Sequence, residues 1–147
     1  MARILTAVAP DTIERVRRIL KGHETIFPDS LAQAVAALNK GGVQLIFIGA
    51  RFDESRMFDF LEHIRQDARH RKIPIVTAIV VPTAMSNVTV SGLAHTTKIF
   101  GASVFVNFND FADDDTENAR IRIIVDALLL PADLVPLVAE KLSRPGP

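Results

Sequence analysis

The run Val43-Gln44-Leu45-Ile46-Phe47-Ile48-Gly49 constrains this chain more than any other stretch. It is short, nearly continuous in apolar side chains, entered from Gly41-Gly42 and closed by a glycine, which fits a strand buried on both faces at the centre of a parallel sheet. Open sheets of that kind bind ligands in the crevice outside the carboxyl ends of the strands, so the residue closing this strand belongs to the expected site. That residue is Gly49, which has no side chain, and the loop Ala50-Arg51-Phe52-Asp53-Glu54 follows it.

Four more runs fit strands, at 4–9, 23–27, 75–81 and 103–107, and helical patterns lie between them. Pro10-Asp11-Thr12 opens the first helix, with Asp11 as the expected cap and Glu14 at the capping-box spacing. Its buried stripe is Ile13, Val16 and Leu20, and its charged face, Glu14, Arg15, Arg17, Arg18 and Lys21, is expected to be solvated. Polar His23 and Glu24 mark the next run as a sheet edge. Pro28-Asp29-Ser30 starts a second helix with Leu31, Ala34, Val35 and Leu38 inward. Met57, Phe58, Leu61, Ile64 and Ala68 give a third, from 54 to about 70, which ends in the basic cluster Arg65, Arg69, His70, Arg71 and Lys72. Unpaired carbonyls at a helix C-terminus favour such charge without any ligand.

The connection 83–89 is polar and long, and is expected to be mobile. Val90, Leu93, Ala94, Thr97 and Phe100 then suggest a fourth helix. After the fifth strand, Phe108-Asn109-Asp110-Phe111 leads into the acidic run Asp113-Asp114-Asp115. From Thr116 onward, Ala119, Ile123, Ala127 and Leu130 form one stripe and Ile121, Ile124, Val125 and Leu128 another, so this helix has two sides to bury. One packs on the sheet. The other needs either a short helix after Pro131, carrying Leu134, Val135, Val138 and Leu142, or a second copy of the chain.

Five strands alternating with helices give a doubly wound α/β fold, a five-stranded parallel sheet in the order 2-1-3-4-5 with helices on both faces. That order makes the apolar first, third and fourth strands central. The expected division is one domain over 1–130, with an extra C-terminal helix and frayed tail, 131–147, packed on it. A length of 147 residues, 48% of them apolar and 23% charged, fits one such globular domain. Formal net charge is zero, so nothing global draws the chain to nucleic acid or an anionic membrane. With no cysteine there is neither a disulfide framework nor a thiolate zinc site. The first residues go straight into a strand and then meet Pro10-Asp11, unlike a signal peptide, and no stretch is long and apolar enough to cross a membrane; the expected location is the cytoplasm.

Over about its first 130 residues the sequence resembles the receiver domain of two-component response regulators. Ile4-Leu5 with Pro10-Asp11-Thr12 is similar to the first strand and turn, and 44–51 to the third strand and its loop. Phe60-Leu61-Glu62-His63-Ile64-Arg65 resembles the helix behind that strand, Ile73-Pro74-Ile75-Val76 the fourth strand, and 101–106 the fifth. The resemblance implies a set of chemical positions, and this chain departs from each. The two acidic residues that hold magnesium fall on Val8 and Ala9, or on Ala7 and Val8 with the gap placed differently. The phosphate-accepting aspartate falls on Gly49, the hydroxyl residue near Ile79, and the lysine on Phe108, with Asn109 after it where the family has proline. Nearby carboxylates are Asp11, Asp53, Asp110 and Asp113; Asp11 is better explained as a helix cap, and Asp53 and Asp110 lie in loops where Asp favours turns.

The crevice is therefore expected to be rather apolar, lined by Val8, Ala9, Gly49, Ile79, Val80 and Phe108. The resemblance and these departures together imply a degenerate, non-phosphorylatable receiver working by protein contact in signal transduction, with a regulatory or kinase-pathway protein as partner and a homodimer as a further possibility. The resemblance puts the contact face on the fourth helix, fifth strand and fifth helix, 90–130, with Leu93, Phe100, Phe105, Ile121, Ile124, Val125 and Leu128 as interface residues. The alternative is a small-ligand-binding domain that uses the crevice as its pocket. Flavin phosphate is disfavoured, because Val8-Ala9-Pro10-Asp11-Thr12 offers an acid and a proline where phosphate needs free amides. His23, His63, His70 and His95 are scattered, none at a strand's carboxyl end, so no catalytic residue, metal site or cofactor is expected.

Overall fold

A computed structural model describes residues 1–80 and 85–130. The strands are β1 (Arg3–Ala7), β2 (Glu24–Ile26), β3 (Leu45–Gly49), β4 (Ile75–Ile79) and β5 (Val104–Asn107). Between and after them lie helices α1 (Ile13–Ile19), α2 (Leu31–Asn39), α3 (Met57–Gln66), α4 (Asn87–Ile99) and α5 (Asp115–Ala127). All pairings are parallel and the order is β2-β1-β3-β4-β5, as the sequence predicts, with β2 at an edge. The expected C-terminal helix and tail, 131–147, lie outside the described residues, as do 81–84 of the connection before α4.

Within each continuous apolar run, the two-residue period of a strand divides the side chains between two cores. Ile4, Val8, Leu45, Phe47, Val76 and Ala78 face α1 and α5, where Val16, Leu20, Ile121 and Val125 meet them. Leu5, Ala7, Ile46, Ile48 and Ile75 face the other way, against Ala34 and Leu38 of α2 and Phe60, Leu61 and Ile64 of α3. The strands stop short of the apolar runs that announce them. β1 ends at Ala7, because Pro10 turns the chain and has no N–H to continue a ladder.

Side-chain caps start α2, α4 and α5, but not α1 or α3. Ser30 accepts from Gln33 N at 3.2 Å, Ser86 from Thr89 N at 3.2 Å and Asp114 from Glu117 N at 2.8 Å. Asp11 does not cap α1, contrary to expectation. Pro10–Thr12 forms a 3₁₀ turn first, so Thr12 stands at the boundary and its hydroxyl donates to Ala9 O at 2.7 Å.

Candidate functional site

The carboxyl ends of β1, β3, β4 and β5 converge on one edge of the sheet. Val8 and Ala9, 3% and 9% exposed, follow β1; Gly49 closes β3 and is buried; Ile79 closes β4 at 1% exposure. Phe108, in the 3₁₀ turn Phe108–Asp110 after β5, is 2% exposed. A Cβ built on Gly49 would stand 3.4 Å from Val8 Cγ1, so the ends of β1 and β3 touch. The Phe108 ring meets Phe47 edge-on, with centroids 6.1 Å apart, and the Arg15 guanidinium lies 4.9 Å from its centre. These positions are packed as core.

Beside them opens a cleft of about 720 Å³, and it is not the apolar crevice expected. Val8, Ala9 and Ile13 are among its walls, but Asp11, Asp29, Asp53, Glu54 and Arg51 also line it. The charges come from the loops after β1, β2 and β3, where the turn preferences of Asp place them at the mouth. Burial removes Ile79 and Phe108 into the packing instead.

The loop after β3 takes an unusual path. Asp53, Glu54 and Ser55 have φ of 44°, 56° and 69°, three consecutive left-handed residues without a glycine, a conformation that costs about 1–3 kcal/mol per residue unless the surroundings impose it. Here they do. Phe52 is buried against Phe60, and Asp53 Oδ2 accepts the Leu31 N–H at 2.8 Å, tying the loop to the start of α2. Asp53 is thereby committed to a backbone amide. Among the described residues no group of three or more His, Cys, Asp or Glu is placed to hold a metal ion.

The charged face of α1 is not simply solvated. Arg15 reaches across to α5 and the loop before it, donating to Asn118 Oδ1 at 3.1 Å, Phe111 O at 2.9 Å and Ala112 O at 3.0 Å. Burial pulls its guanidinium below its ordinary value, and Asp113, 3.5 Å away, opposes that. Arg18 grips the two Asp113 oxygens at 3.1 and 3.0 Å. That pair, with Asn118 Nδ2 donating to the same carboxylate, brings the Asp113 pKa down to about 2. These partners lie about a hundred residues from Arg15 and Arg18, and no local sequence pattern announces them.

Histidines stay away from the strand ends. His23, just before β2, accepts the Ala2 N–H on Nδ1 at 2.9 Å, so its proton is on Nε2, 2.8 Å from Asp126 Oδ1. His63 lies on α3 and His95 on α4, and His70, itself buried, closes the 3₁₀ turn Ala68–His70. In the basic cluster, Arg65 donates to Phe100 O and Gly101 O at the end of α4, and hydrogen bonds from Arg69 hold the Asp67 carboxyl well below the usual carboxylate range. The cluster fastens helix ends, though partly those of α4 rather than only its own.

On the α4–β5–α5 side the expected interface residues divide. Ile121 and Val125 are fully buried on the sheet and are core, because the stripe they share turns inward. Ile124 and Leu128 are half-buried against the same core, Leu93 and Phe100 against the other, with the Phe100 ring 5.3 Å from Phe58; Phe105 is half-buried on β5. The exposed apolar side chains are others: Val88 at 83% and Ile99 at 70% on α4, and Ile123 at 48% on α5. Val88, Gly92, His95 and Ile99 run along one side of α4, a row that no pattern in the sequence sets apart.

No protein-family model and no curated protein sequence matches the chain. Solved structures do. A response regulator of Hahella chejuensis superposes with a TM-score of 0.68 at 20% identity, over 90% of this chain and 98% of that one. The signal receiver domain of a signal transduction histidine kinase from Syntrophus aciditrophicus gives 0.59 at 17%, over 99% and 96%. NtrX of Brucella abortus gives 0.66 at 23%; 95% of this chain is covered, but it spans only 29% of the NtrX chain. The architecture and these superpositions together give the chain the fold of response-regulator receiver domains.

Proposed function

We propose that this chain is a receiver-fold protein without phosphotransfer chemistry, acting by protein–protein contact in cytoplasmic signal transduction. One observation carries the reading: where the resemblance puts two acids, an aspartate, a hydroxyl and a lysine, the strand ends hold Val8, Ala9, Gly49, Ile79 and Phe108, packed against one another or into the core. Phosphoryl transfer to an aspartate needs a carboxylate in line with the donor and a cation to take up the developing charge. None of these five residues can do either. The chain is read as non-enzymatic on the same ground.

The contact surface is placed on the α4–β5–α5 side, where Val88 and Ile99 expose apolar area that a partner or a second copy of the chain would cover. Intact-mass spectrometry after incubation with magnesium and a small phosphodonor tests the chemistry: the expected spectrum has no adduct, and a single phosphoryl adduct refutes the reading. Light scattering over a wide concentration range tests the homodimer. A mass that stays monomeric throughout removes it, and a dimer that Ile99→Asp dissociates supports it.

A second reading, binding of a small ligand, is favoured by the cleft of about 720 Å³ beside the strand ends. Its charged mouth would suit a polar ligand rather than the apolar one expected from the sequence. Ligand-induced thermal stabilisation that Asp11→Asn abolishes would support it.

A further inference from the structure

The two ends of the sheet carry opposite charge. In a parallel sheet with returning helices, each helix starts at the carboxyl ends of the strands and finishes at their amino ends. Acids are favoured at helix starts and cations at helix ends, and most loops of this chain follow that rule. Asp11, Asp29, Asp53 and Glu54 line the cleft at the carboxyl edge, with Arg51 as the cation in that lining. At the amino edge, Lys21 follows α1, Lys40 follows α2, Arg71 and Lys72 lie between α3 and β4, and Lys98 is in the last turn of α4, all exposed. A helix end has about half an elementary charge and each side chain a whole one, so the side chains set the sign of each edge.

Much of this charge has no partner within the molecule. Asp53 accepts the Leu31 N–H, but among the described residues the carboxylates of Asp11, Asp29 and Glu54 have neither a hydrogen bond nor an ion pair, and nor have the ammonium groups of Lys40 and Lys72. The basic turn before β4 is held in shape. His70 is buried at its base, Arg65 Nη1 donates to Arg71 O at 3.4 Å, and Arg71 Nε donates to Arg65 O at 3.3 Å. Arg69 Nη2 donates to Asn39 Oδ1 at 3.4 Å, which brings the end of α2, with Lys40, beside the turn. At the other edge the acids converge on a concave surface, the cleft of about 720 Å³.

We propose that copies of this chain associate head to tail, the basic turn 69–72 of one copy seated in the acidic cleft of the next. Charge complementarity selects a second copy as the occupant: a formal net charge of zero leaves no overall repulsion between copies, while the opposite edges attract. The two surfaces lie at opposite ends of the strands, so one two-fold pairing cannot satisfy both, and each added copy leaves one cleft and one turn open. The product is an open chain of copies that grows with concentration. It is separate from the α4–β5–α5 contact and does not rest on the loss of phosphotransfer chemistry.

Sedimentation velocity of the full chain over a wide concentration range, at about 20 mM and about 500 mM salt, tests this, since screening cuts the reach of a charge from roughly 20 Å to roughly 4 Å. The mass at low salt should rise past the dimer, and the apparent dissociation constant should increase at least about tenfold at high salt. Two neutralised variants, Arg71→Gln/Lys72→Gln and Asp29→Asn/Glu54→Gln, should each stay monomeric alone. Mixed in equal amounts they should form a dimer that grows no further, because one intact turn meets one intact cleft, and that recovery also shows both variants to be folded. Ile99→Asp should leave the association unchanged. A parent chain that is monomeric throughout at low salt overturns the proposal. So does a salt-insensitive dimer that Ile99→Asp dissociates, or a mixture of the neutralised variants that stays monomeric or grows past the dimer.

Discussion

Replacing Arg15 tests whether α1 holds the loop between β5 and α5. The side chain is 15% exposed, makes three hydrogen bonds to α5 and the preceding loop, and lies over the Phe108 ring. A hydrogen bond involving a charged group is worth roughly 1.5–3 kcal/mol, but Ala112 is exposed and Phe111 half-buried, so water replaces part of what their carbonyls lose. The cation over the ring adds about 0.5–2 kcal/mol. Since the contacts form one group and do not add, Arg15→Ala should lower unfolding free energy by about 2–3 kcal/mol, measured by urea denaturation. Arg15→Lys keeps the stem and the charge but not the fork, and should lose about half as much. Arg18→Ala removes only a half-exposed, solvent-screened ion pair and should cost clearly less than Arg15→Ala. Hydrogen exchange should quicken at 108–114 in Arg15→Ala and little elsewhere. If Arg15→Ala costs no more than Arg18→Ala, or if exchange at 108–114 is unchanged, the clamp does not exist.

Gly49→Asp should take up no phosphoryl group from a small donor in the presence of magnesium, by intact mass, because Val8, Ala9 and Phe108 supply neither cation ligands nor a lysine; uptake would show that the positions are wrongly assigned. The same variant should be less stable by roughly 1–3 kcal/mol, since it brings a polar group to a buried strand end 3.4 Å from Val8. The Asp113 carboxyl is depressed to about 2, so the stability it contributes is present above its unfolded pKa near 4 and lost as pH falls from there toward 2. Thermal melts between pH 5 and 2 should therefore fall less steeply in Arg18→Ala than in the parent. Gly92 stands in the α4 interior with nothing within 4 Å of an added Cβ, and Gly92→Ala should raise stability by about 0.5–1 kcal/mol. Gly101→Ala should do the reverse by more than about 1 kcal/mol, because φ is +98° and the Cβ would collide with the Arg65 guanidinium.

The sheet was legible because its signal is redundant: each central strand is apolar on both faces, and the runs that became β1, β3 and β4 could occupy only the middle. Contacts between distant elements were not. Glu14, Arg15, Arg17, Arg18 and Lys21 look alike as a helical face, and only the position of α5 makes Arg15 a half-buried clamp while Lys21 stays exposed. On α5 the two apolar stripes were visible, but the sequence does not say which turns inward; Ile121 and Val125 did, leaving Ile123 out. Of the carboxylates of the cleft, Asp11 reads as a helix cap and Asp53 as a turn residue. Their convergence depends on three loops meeting, and on the left-handed turn at 53–55, where a sequence without glycine gives no warning.

A receiver-type site gathers like charges at the strand ends, which raises their energy unless a cation balances them. This chain puts Val8, Ile79 and Phe108 there instead, and full burial of side chains of that size stabilises by roughly 1.5–3 kcal/mol each. The exchange favours one packed arrangement. Phe108 is held between Phe47 and Arg15, and Arg15 is held in turn by the carbonyls of the next loop. On the proposed reading, the packed strand ends offer a phosphoryl group neither an acceptor carboxylate nor a cation site. On that same reading, a signal acts from outside the core, through a partner on the α4 and α5 side. A binding partner should accordingly change hydrogen exchange along Val88 to Ile99 while leaving the amides of Val8, Gly49 and Ile79 protected, and loss of protection at the strand ends on binding would mean that the core still switches.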